Sequence, residues 1–458
     1  MDGAALQRRA EEVSVAPPPL SPRDATRRPP LLWDVLAEHL EEASFLWTQR
    51  ERAMDSPDFT LAEVEAGDEA RLRAHLDGLR VGGPPVALRL LRPALEGEEP
   101  GRLASAAVVL LASGEQQLVL ERWVDDAERR PWLRHALALC ERQELDAPLL
   151  DLLPRLEPTL QAELLDVLTF RRVDAGALLE RMHLTDAEPA LLAAALCAAR
   201  VTQQPVLAPW IRKGLEDSRP LVRNAALGTG LIRGLRAAWQ ACPALAQGEE
   251  EPRMAMLALS TGGTPADVEK LVKLLGRPAL RAEALWALGF SGRIAAADAA
   301  LAVLKEPGTQ MGWLALQTFA VITGLSPEDF FLSEAGDEGE VVPPSGAVSP
   351  SLPSPEHRPG QVRVAEVAQW WARARDRFDS EDRYRHGVPW TPKALLQDLH
   401  QSPMSHRPAL AFELAVRSRG KSLVETRGWC GHQRTRLHAA GALSLERLTR
   451  GFEGWMNA

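Results

Sequence analysis

The stretch "LRAEALWALGFSGRIAAADAALAVLKEP", residues 280–307, contains two glycines between two apolar blocks. Gly289 and Gly292 fit either of two structures: a glycine-rich loop that holds a phosphate group, or the turn between two helices that pack together. The remainder of the sequence decides between them, because the turn of a repeated hairpin must recur at a fixed distance.

Apolar blocks similar to the one around Leu285 recur along the chain at intervals of 28–31 residues. Their centres are Val108, Leu137, Leu165, Leu196, Leu227, Leu257, Leu285 and Leu316. About 30 residues accommodate two short helices and two turns, which is the size of one helical-hairpin repeat. The spacing therefore predicts an all-α solenoid, a superhelix of stacked helical hairpins, and assigns the two glycines to a turn.

The second helix of a repeat is visible in "TPADVEKLVKLLGRP", residues 264–278. Thr264 is the expected N-cap, Pro265 occupies the first helical position, and Asp267 lies in the first turn. Small side chains in the first helix of each repeat let neighbouring hairpins approach closely, while leucines supply the buried area. Neither helix can bury its apolar face alone, so the repeats must stack.

The segments "SRPLVRNAALGTG" and "GRPALRAEALWALGFSGRIAAADAALAVLKEP" resemble HEAT-type repeats of the short bacterial kind related to the phycobilisome-lyase group. The shared features are a proline in the turn, an arginine that opens the next helix, and an Ala-Leu block that closes on a glycine: Pro220, Pro278, Arg223, Arg281, Gly228 and Gly289. The resemblance covers residues 86–325 and implies the fold. Such repeats serve many unrelated partners, so it implies no activity.

Changes of composition divide the chain into five predicted parts. Residues rich in proline and charge at the start predict a disordered leader, and an acidic stretch followed by Pro and Ser predicts a flexible linker after the repeats. The predicted parts are a leader (residues 1–30), an N-terminal helical cap (31–85), a HEAT-like repeat array (86–328), a linker (329–362) and a C-terminal helical segment with degenerate repeats (363–458).

A second resemblance involves the flanks of the array. The segments "HLEEASFLWTQRERAM", "LRAHLDGLRVGG", "AQWWARARDRF", "RYRHGVPWTPKALL" and "HRPALAFELA" are similar to an uncharacterised proteobacterial family of HEAT-containing proteins. Members of that family are often encoded near type VI secretion components. The resemblance spans nearly the whole chain and implies a link to type VI secretion, but the family provides no functional residues.

Composition limits the classes of function. The net charge of −9 argues against a dominant nucleic-acid surface, which requires clustered positive charge. The four cysteines are widely scattered and show no disulfide framework. The sequence start lacks the apolar core of a signal peptide, and no apolar run is long enough to span a membrane. We therefore expect a cytoplasmic protein that does not associate with membranes.

No motif for catalysis, for a cofactor or for a metal meets its requirements. "RGKS", ending at Ser422, has the tail of a phosphate-binding loop but lacks the earlier glycine and the preceding strand. "WCGHQRTRLH" places Cys430, His432 and His438 together, without the spacing of a zinc site. The sequence therefore predicts a protein that is not an enzyme, with no catalytic residues, no cofactor and no metal.

The aromatic composition is unusual, with thirteen tryptophans and one tyrosine. Adjacent residues on a helix point about 100° apart. Trp370 and Trp371 can therefore both be buried only beneath two neighbours or at the edge of a contact. Large aromatic side chains are favoured anchors of protein interfaces. We interpret Trp370, Trp371 and Trp390 as candidate partner-binding residues, with packing against the array as the alternative.

The combined observations predict a protein-binding scaffold or adaptor. The second resemblance implies that its partner is an effector or spike component of type VI secretion. One alternative is a nucleic-acid-binding protein that uses arginines from "RRPWLRH", "WIRKGLEDSRPLVR" and "LIRGLRAAW" on a concave face. The other is a lyase-type enzyme, as in the phycobilin lyases, although the sequence shows no acid–base pair for it and no small-molecule substrate is evident.

Overall fold

The computed structural model describes residues 30–182, 184, 187–202, 208–306, 309–333, 352–356, 358–443, 449 and 451–456. The predicted leader lies outside these residues except for Pro30. The β structure in the described part of the chain consists of short strands and an isolated bridge between Thr60 and Pro403, and the remainder of its regular structure is helical. None of the described helices combines the length and the apolar character needed to cross a membrane.

Helices of the array form a first row, in which each helix packs against the next one in the row. Every sequence block centred on Val108, Leu137 or a later repeat leucine lies in one of these helices, which confirms the predicted period. The first row consists of α6 (Pro100–Ala112), α8 (Arg130–Leu139), α10 (Pro158–Arg171), α12 (Pro189–Ala198), α14 (Pro220–Arg233), α16 (Arg253–Gly262), α18 (Pro278–Gly289) and α20 (Gly312–Thr323).

The intervening helices form a second row that packs on one side of the first. The core lies between the two rows, where Leu165, Leu227, Leu285 and Leu316 are fully buried. This arrangement confirms the all-α solenoid of helical hairpins. The second row consists of α7 (Gln116–Asp125), α9 (Asp146–Leu152), α11 (Gly176–Leu179), α13 (Ala208–Leu215), α15 (Arg236–Leu245), α17 (Pro265–Leu274) and α19 (Ile294–Leu304).

Local sequence signals fix where several of these helices begin. Most first-row helices carry proline in the first two positions, where the missing N–H removes no helical hydrogen bond. At the start of α17, Asp267 Oδ2 accepts hydrogen bonds from the backbone N–H and the hydroxyl of Thr264, at 3.0 and 2.8 Å. The predicted N-cap at Thr264 is therefore confirmed.

The N-terminal cap covers the first helix of the array. Its long helix α1 (Trp33–Ala53) packs against α3 and α6, and Leu40 and Trp47 on this helix are buried. The predicted boundary between cap and array at residue 85 falls inside a nearly continuous helical run. The other cap helices are α2 (Leu61–Val64), α3 (Ala70–Val81), α4 (Gly83–Val86) and α5 (Arg92–Ala94), with π-helical turns at Glu65–Glu69 and Ala87–Leu91.

The described ends of the predicted linker pair with each other. Strand β1 (Phe331–Ser333) runs antiparallel to β2 (Gly360–Val362), so the chain leaves the array and returns to it at one place. The C-terminal segment then continues through α21 (Val364–Ala374), β3 (Tyr384–Arg385), β4 (Val388–Pro389), α22 (Pro392–Gln401), α23 (Arg407–Arg417) and α24 (Cys430–Gly441).

The C-terminal segment packs back on the first row and also reaches the N-terminal cap. Helix α23 contacts α14 and α16, and α22 contacts α2. Guanidinium groups from the segment bind the C-terminal ends of first-row helices: Arg383 and Arg417 both donate to the carbonyl oxygen of Thr261, at 2.8 and 2.7 Å. Carbonyl groups in the last turn of a helix lack a helical partner, so these arginines satisfy them.

Gly289 is the last residue of α18, and Gly292 lies in the turn between α18 and α19, where the repeat period predicts a turn. Gly292 has φ +66°, and its carbonyl oxygen accepts a hydrogen bond of 2.7 Å from the N–H of Tyr384. A Cβ atom at this position would stand 2.5 Å from the Tyr384 carbonyl oxygen. Glycine is therefore required both by the turn and by the close approach of the C-terminal segment.

Candidate functional site

A cavity of about 470 Å³ lies between the first row of the array and the C-terminal segment. Helices α10, α12 and α14 form one side of it, and α23 with the loop at residues 423–426 forms the other. We call this cavity the cleft. Ligand-binding sites in proteins typically have volumes of roughly 300–1,000 Å³, so the cleft is large enough to hold a ligand or part of a partner.

Small side chains on α12 create much of this space. Ala190, Ala193 and Ala194 line the cleft with methyl groups because α12 is one of the alanine-rich first-row helices. Larger apolar side chains complete the wall: Phe170, Leu221, Ile232, Met254, Phe412, Leu423 and Val424. Leu221 is 50% exposed, so the cleft opens to solvent beside it.

Five charged side chains interrupt this apolar wall: Arg134, Glu163, Asp166, Arg200 and Glu425. Arg200 Nε donates to Thr229 Oγ1 at 3.1 Å, which fixes its position. Glu163 Oε2 and Arg134 Nε are buried and have no hydrogen-bond partner among the residues that the structure describes. Burial raises the pKa of the Glu163 carboxyl, although the charges of Arg134 and Arg130 oppose the rise.

Glu425 lies where the cleft meets a second cavity of about 270 Å³. Part of its side chain remains accessible from these cavities. Nevertheless, burial against the surrounding wall raises its pKa from 4.5 to about 7, and the nearby charges of Arg200 and Arg172 only partly offset this rise. Clefts that contain carboxyl groups with such raised pKa values are candidates for functional sites.

We expect the raised pKa of Glu425 to make the protein less stable as the pH increases. Its pKa is about 7 in the folded protein and 4.5 ordinarily, so its contribution to the free energy of unfolding is complete below pH 4.5 and lost as the pH rises to 7. Glu425→Gln removes this titration. Urea unfolding at several pH values should therefore show that the free energy of unfolding falls less for the variant than for the wild type as the pH rises from 4.5 to 7. Equal decreases in the two proteins would contradict the raised pKa.

A buried ion cluster holds the loop after α23 against the N-terminal cap. Glu51 accepts hydrogen bonds from Arg50 Nη1 and Arg427 Nη2, both at 2.9 Å. Arg50 Nε donates to Glu69 Oε2 at 2.8 Å, and Arg50 Nη2 donates to the carbonyl oxygen of Gly428 at 2.9 Å. We call Arg50, Glu51, Glu69 and Arg427 the clasp. It fixes the position of the loop that carries one wall of the cleft.

Trp429 and His135 lie beside the clasp. The indole N–H of Trp429 donates to the carbonyl oxygen of Leu139 at 2.9 Å, and its ring meets Trp47 edge to face. Burial lowers the pKa of His135 to about 4 although Glu51 lies 3.5 Å away. His135 is therefore neutral at pH 7, and the two arginines of the clasp balance the charge of Glu51.

Trp370 and Trp371 lie together on α21, with nearly parallel rings whose centroids are 6.3 Å apart. Trp371 is only 5% exposed, and its Nε1–H donates to Asp298 Oδ1 at 2.7 Å on α19. The ring of Phe319 stands nearly perpendicular to both indole rings, with centroids 6.0 Å from Trp370 and 5.2 Å from Trp371. The structure therefore brings these two tryptophans together and packs them on the end of the array.

Trp390 has separate neighbours. The guanidinium carbons of Arg383 and Arg417 lie 4.7 and 4.3 Å from its ring centroid, an arrangement that stabilises cations against an aromatic face. Arg417 Nε also donates to the fully buried Glu413 at 2.8 Å. Contact of Trp370, Trp371 and Trp390 with a partner stays a prediction.

Cys430, His432 and His438 do not converge on a common point. Cys430 is buried next to the clasp, where its N–H donates to Glu69 Oε1 at 2.7 Å, whereas His432 pairs with Glu141 at 3.2 Å on the surface. Across the ranges that the structure describes, no group of three or more potential ligands is placed to hold a metal ion.

Several arginines proposed for a nucleic-acid surface are engaged within the chain. Arg219 pairs with Asp217 at 2.7 Å, and Arg223 Nη1 donates to the Asp217 carbonyl oxygen at 2.9 Å. Arg233 Nη1 donates to the carbonyl oxygen of Thr202 at 2.9 Å. The contacts of Arg219 and Arg223 with Asp217 lie within one turn, and Arg233 joins neighbouring repeats, so no observation favours the nucleic-acid alternative.

Glu163 and Glu425 were not predicted from the sequence. Glu163 lies with Asp166 in the otherwise apolar "AELLDVL", and Glu425 follows an apolar pair in "SLVETRGW". Acidic residues on solvent-exposed helix faces look the same in sequence. The available signal was an acidic residue beside a run of leucine, valine and alanine. Only the packing of the C-terminal segment on the first row shows that both residues line one cleft.

Comparisons with known proteins add little to this site. No protein-family model and no curated protein matches the chain. The chain is similar to the solved structure of human deoxyhypusine hydroxylase in complex with glycerol, with 18% sequence identity, coverage of 64% of this chain and 99% of that chain, and a TM-score of 0.22. That protein is an enzyme, which overturns the expectation that this chain is not one. At this TM-score, neither the activity nor any residue of the hydroxylase is carried to this chain.

Proposed function

We propose that the chain is a protein-binding scaffold or adaptor whose partner docks in the cleft. The observation that carries this proposal is the cleft itself: a largely apolar cavity that opens beside the exposed Leu221 and contains two carboxyl groups, Glu163 and Glu425, whose pKa values are raised by burial. Sites with apolar walls and a few convergent polar groups are the usual form of binding pockets.

The clasp and the array support the same proposal because they make the cleft rigid. A binding site that is formed before the partner arrives avoids the entropic cost of ordering its walls. The first row provides one wall, and the clasp fixes the loop that provides the other. Docking therefore requires little rearrangement of this chain.

The class of partner is also a proposal. The resemblance of the flanks to a family often encoded near type VI secretion components motivates an effector or spike component of that system. This part is supported by the resemblance alone. An assay with purified effector and spike proteins from the same cells therefore tests it separately from the docking site.

The docking site is tested by affinity purification of tagged protein from its native cells, followed by mass spectrometry. Leu221→Glu places a charge at the mouth of the cleft, and folding should tolerate it because acidic residues are favourable near a helix N-terminus. Val81→Glu is the matched control, since Val81 is 85% exposed and lies on the distant helix α3.

We expect the wild type and Val81→Glu to retain the same proteins and Leu221→Glu to lose them. Far-UV circular dichroism and thermal unfolding should be alike for the three proteins, which excludes misfolding as the cause of the loss. Retention of an identical set by Leu221→Glu would show that partners do not dock in the cleft.

A further inference from the structure

Part of the predicted linker lies against the first row of the array. We call residues 352–356 and 358 the strap; they belong to the connection between β1 and β2, and residues 352–356 read "LPSPE". Leu352 is half-buried and is one of the residues that line the cleft. The chain therefore places a side chain of its own in the cavity where we propose that a partner docks.

The backbone of the strap is held at its start by Arg253 on α16. Arg253 Nη1 donates to the carbonyl oxygen of Leu352 at 2.7 Å. The Nε and Nη2 atoms of Arg253 donate to the two carboxylate oxygens of Glu283 on α18, at 2.6 and 2.7 Å, and this bidentate pair fixes the guanidinium group. The next residue on α16, Met254, lines the cleft. Arg253 therefore fixes Leu352 beside the part of the cleft wall that α16 provides.

Side chains further along the strap contact α20. Gln317 Nε2 donates to Glu356 Oε2 at 2.7 Å, and the guanidinium carbon of Arg358 lies 4.4 Å from the ring centroid of Trp313. Gln317 and Trp313 lie on α20, whereas the start of the strap is held on α16. The strap therefore spans three consecutive helices of the first row, α16, α18 and α20.

Two prolines give the strap the form of a ligand for such a surface. Pro353 and Pro355 have φ angles restricted to about −65° and provide no N–H group. Segments of this kind favour the extended polyproline II conformation, which needs no hydrogen bonds within the segment. They bind in aromatic-lined grooves because little conformational entropy is lost. The contacts of Leu352 with the cleft and of Arg358 with Trp313 fit this form of recognition.

The strap is held less firmly than the clasp. Arg358 pairs with Asp58 at 3.2 Å and with Glu356 at 3.4 Å, and the side chains of all three are partly exposed, so solvent screens these pairs. The pairing of β1 with β2 holds both ends of the connection in which the strap lies. Release of the strap therefore leaves the array, the strands and the walls of the cleft in place.

We propose that the strap is an internal ligand of the cleft and that a partner docks by replacing it with a segment of the same chemistry. Such a segment is extended and contains proline, with a bulky aliphatic side chain in the place of Leu352 and a carboxylate in the place of Glu356. Arg253 donates to its backbone, and Gln317 donates to its carboxylate. This inference rests on the proposed function, since it specifies what docks in the cleft and what leaves it.

The experiment measures, by fluorescence anisotropy, the binding of a labelled peptide with the strap sequence, "SLPSPEHRPG", to the full-length protein. Leu352→Asp weakens the internal strap, and folding should tolerate it because Leu352 is half-buried and lies outside the helices and strands. Val388→Asp is the matched control, since Val388 is 58% exposed and lies on β4. Leu352→Asp/Gln317→Ala tests the surface beneath the strap.

We expect the peptide to bind Leu352→Asp at least about tenfold more tightly than the wild type or Val388→Asp, because a tethered strap competes at high effective concentration. The double variant should bind the peptide at least about threefold more weakly than Leu352→Asp, since the carboxylate of the peptide loses its donor. A peptide with aspartate in place of its leucine should bind none of these proteins. In affinity purification, Leu352→Asp should retain more of the proteins that the wild type retains.

Other outcomes separate this inference from the proposed function. A peptide that binds Leu352→Asp and the wild type equally, or that binds neither, would overturn the inference, while loss of bound proteins by Leu221→Glu would still support the docking site. Tighter binding of the peptide by Leu352→Asp, combined with retention of the same proteins by Leu221→Glu and the wild type, would overturn the proposed function and leave the strap as an internal ligand.

Discussion

Replacing Glu51 by glutamine is expected to lower the free energy of unfolding by about 3–5 kcal/mol. The substitution keeps the size of the side chain but removes the charge that balances Arg50 and Arg427. Arg50 would keep Glu69 and Arg427 would keep Asp55. Each guanidinium group would nevertheless lose its ion pair with the fully buried Glu51, where water cannot replace it. Equilibrium urea unfolding, followed by far-UV circular dichroism, measures the change.

Glu42→Gln is the matched control on the same helix. Glu42 lies 3.8 Å from Arg71, and its side chain is 44% exposed, so the pair is screened by solvent. Its removal should change the free energy of unfolding by less than about 0.5 kcal/mol. If Glu51→Gln were as mild as this control, the clasp would contribute no more than a surface ion pair.

The second large loss of stability is expected for Trp371→Ala. Loss of a buried tryptophan typically costs about 3–5 kcal/mol, from lost burial and from the cavity that remains. In this chain the substitution also leaves Asp298 without the indole N–H, and it exposes Phe319. The midpoint of urea unfolding should therefore fall strongly, with little change in the helical content of the native protein.

Trp370→Ala is the informative comparison, since Trp370 is the adjacent residue and is only partly buried. Its substitution should cost less than half as much stability. If the two tryptophans instead served a partner, both variants would unfold like the wild type and retain fewer bound proteins in affinity purification. That result would contradict the role of Trp371 in packing.

The clasp and the cleft are two consequences of the same contact between distant parts of the chain. The clasp joins the cap to the loop after α23, and this loop also carries Glu425 into the cleft. Variants that loosen the clasp are therefore expected to weaken docking as well as stability. Leu221→Glu, by contrast, should affect docking alone.

The sequence alone determined the helical repeats. The interval of 28–31 residues between apolar blocks is a local property that needs no knowledge of what packs where. The start of α17 was predictable for the same reason, because Thr264 and Asp267 are three residues apart and cap their own helix. The turn at Gly289 and Gly292 follows from the repeat period.

Only the tertiary structure decided how the C-terminal segment is placed and what it forms. Glu51 and Arg427 are separated by 376 residues, and Trp371 and Asp298 by 73 residues. Contacts over such distances leave no periodic pattern in the sequence, since they depend on how far each repeat rotates against the next. The cleft arises from this same placement, and for that reason neither Glu163 nor Glu425 could be assigned to it in advance.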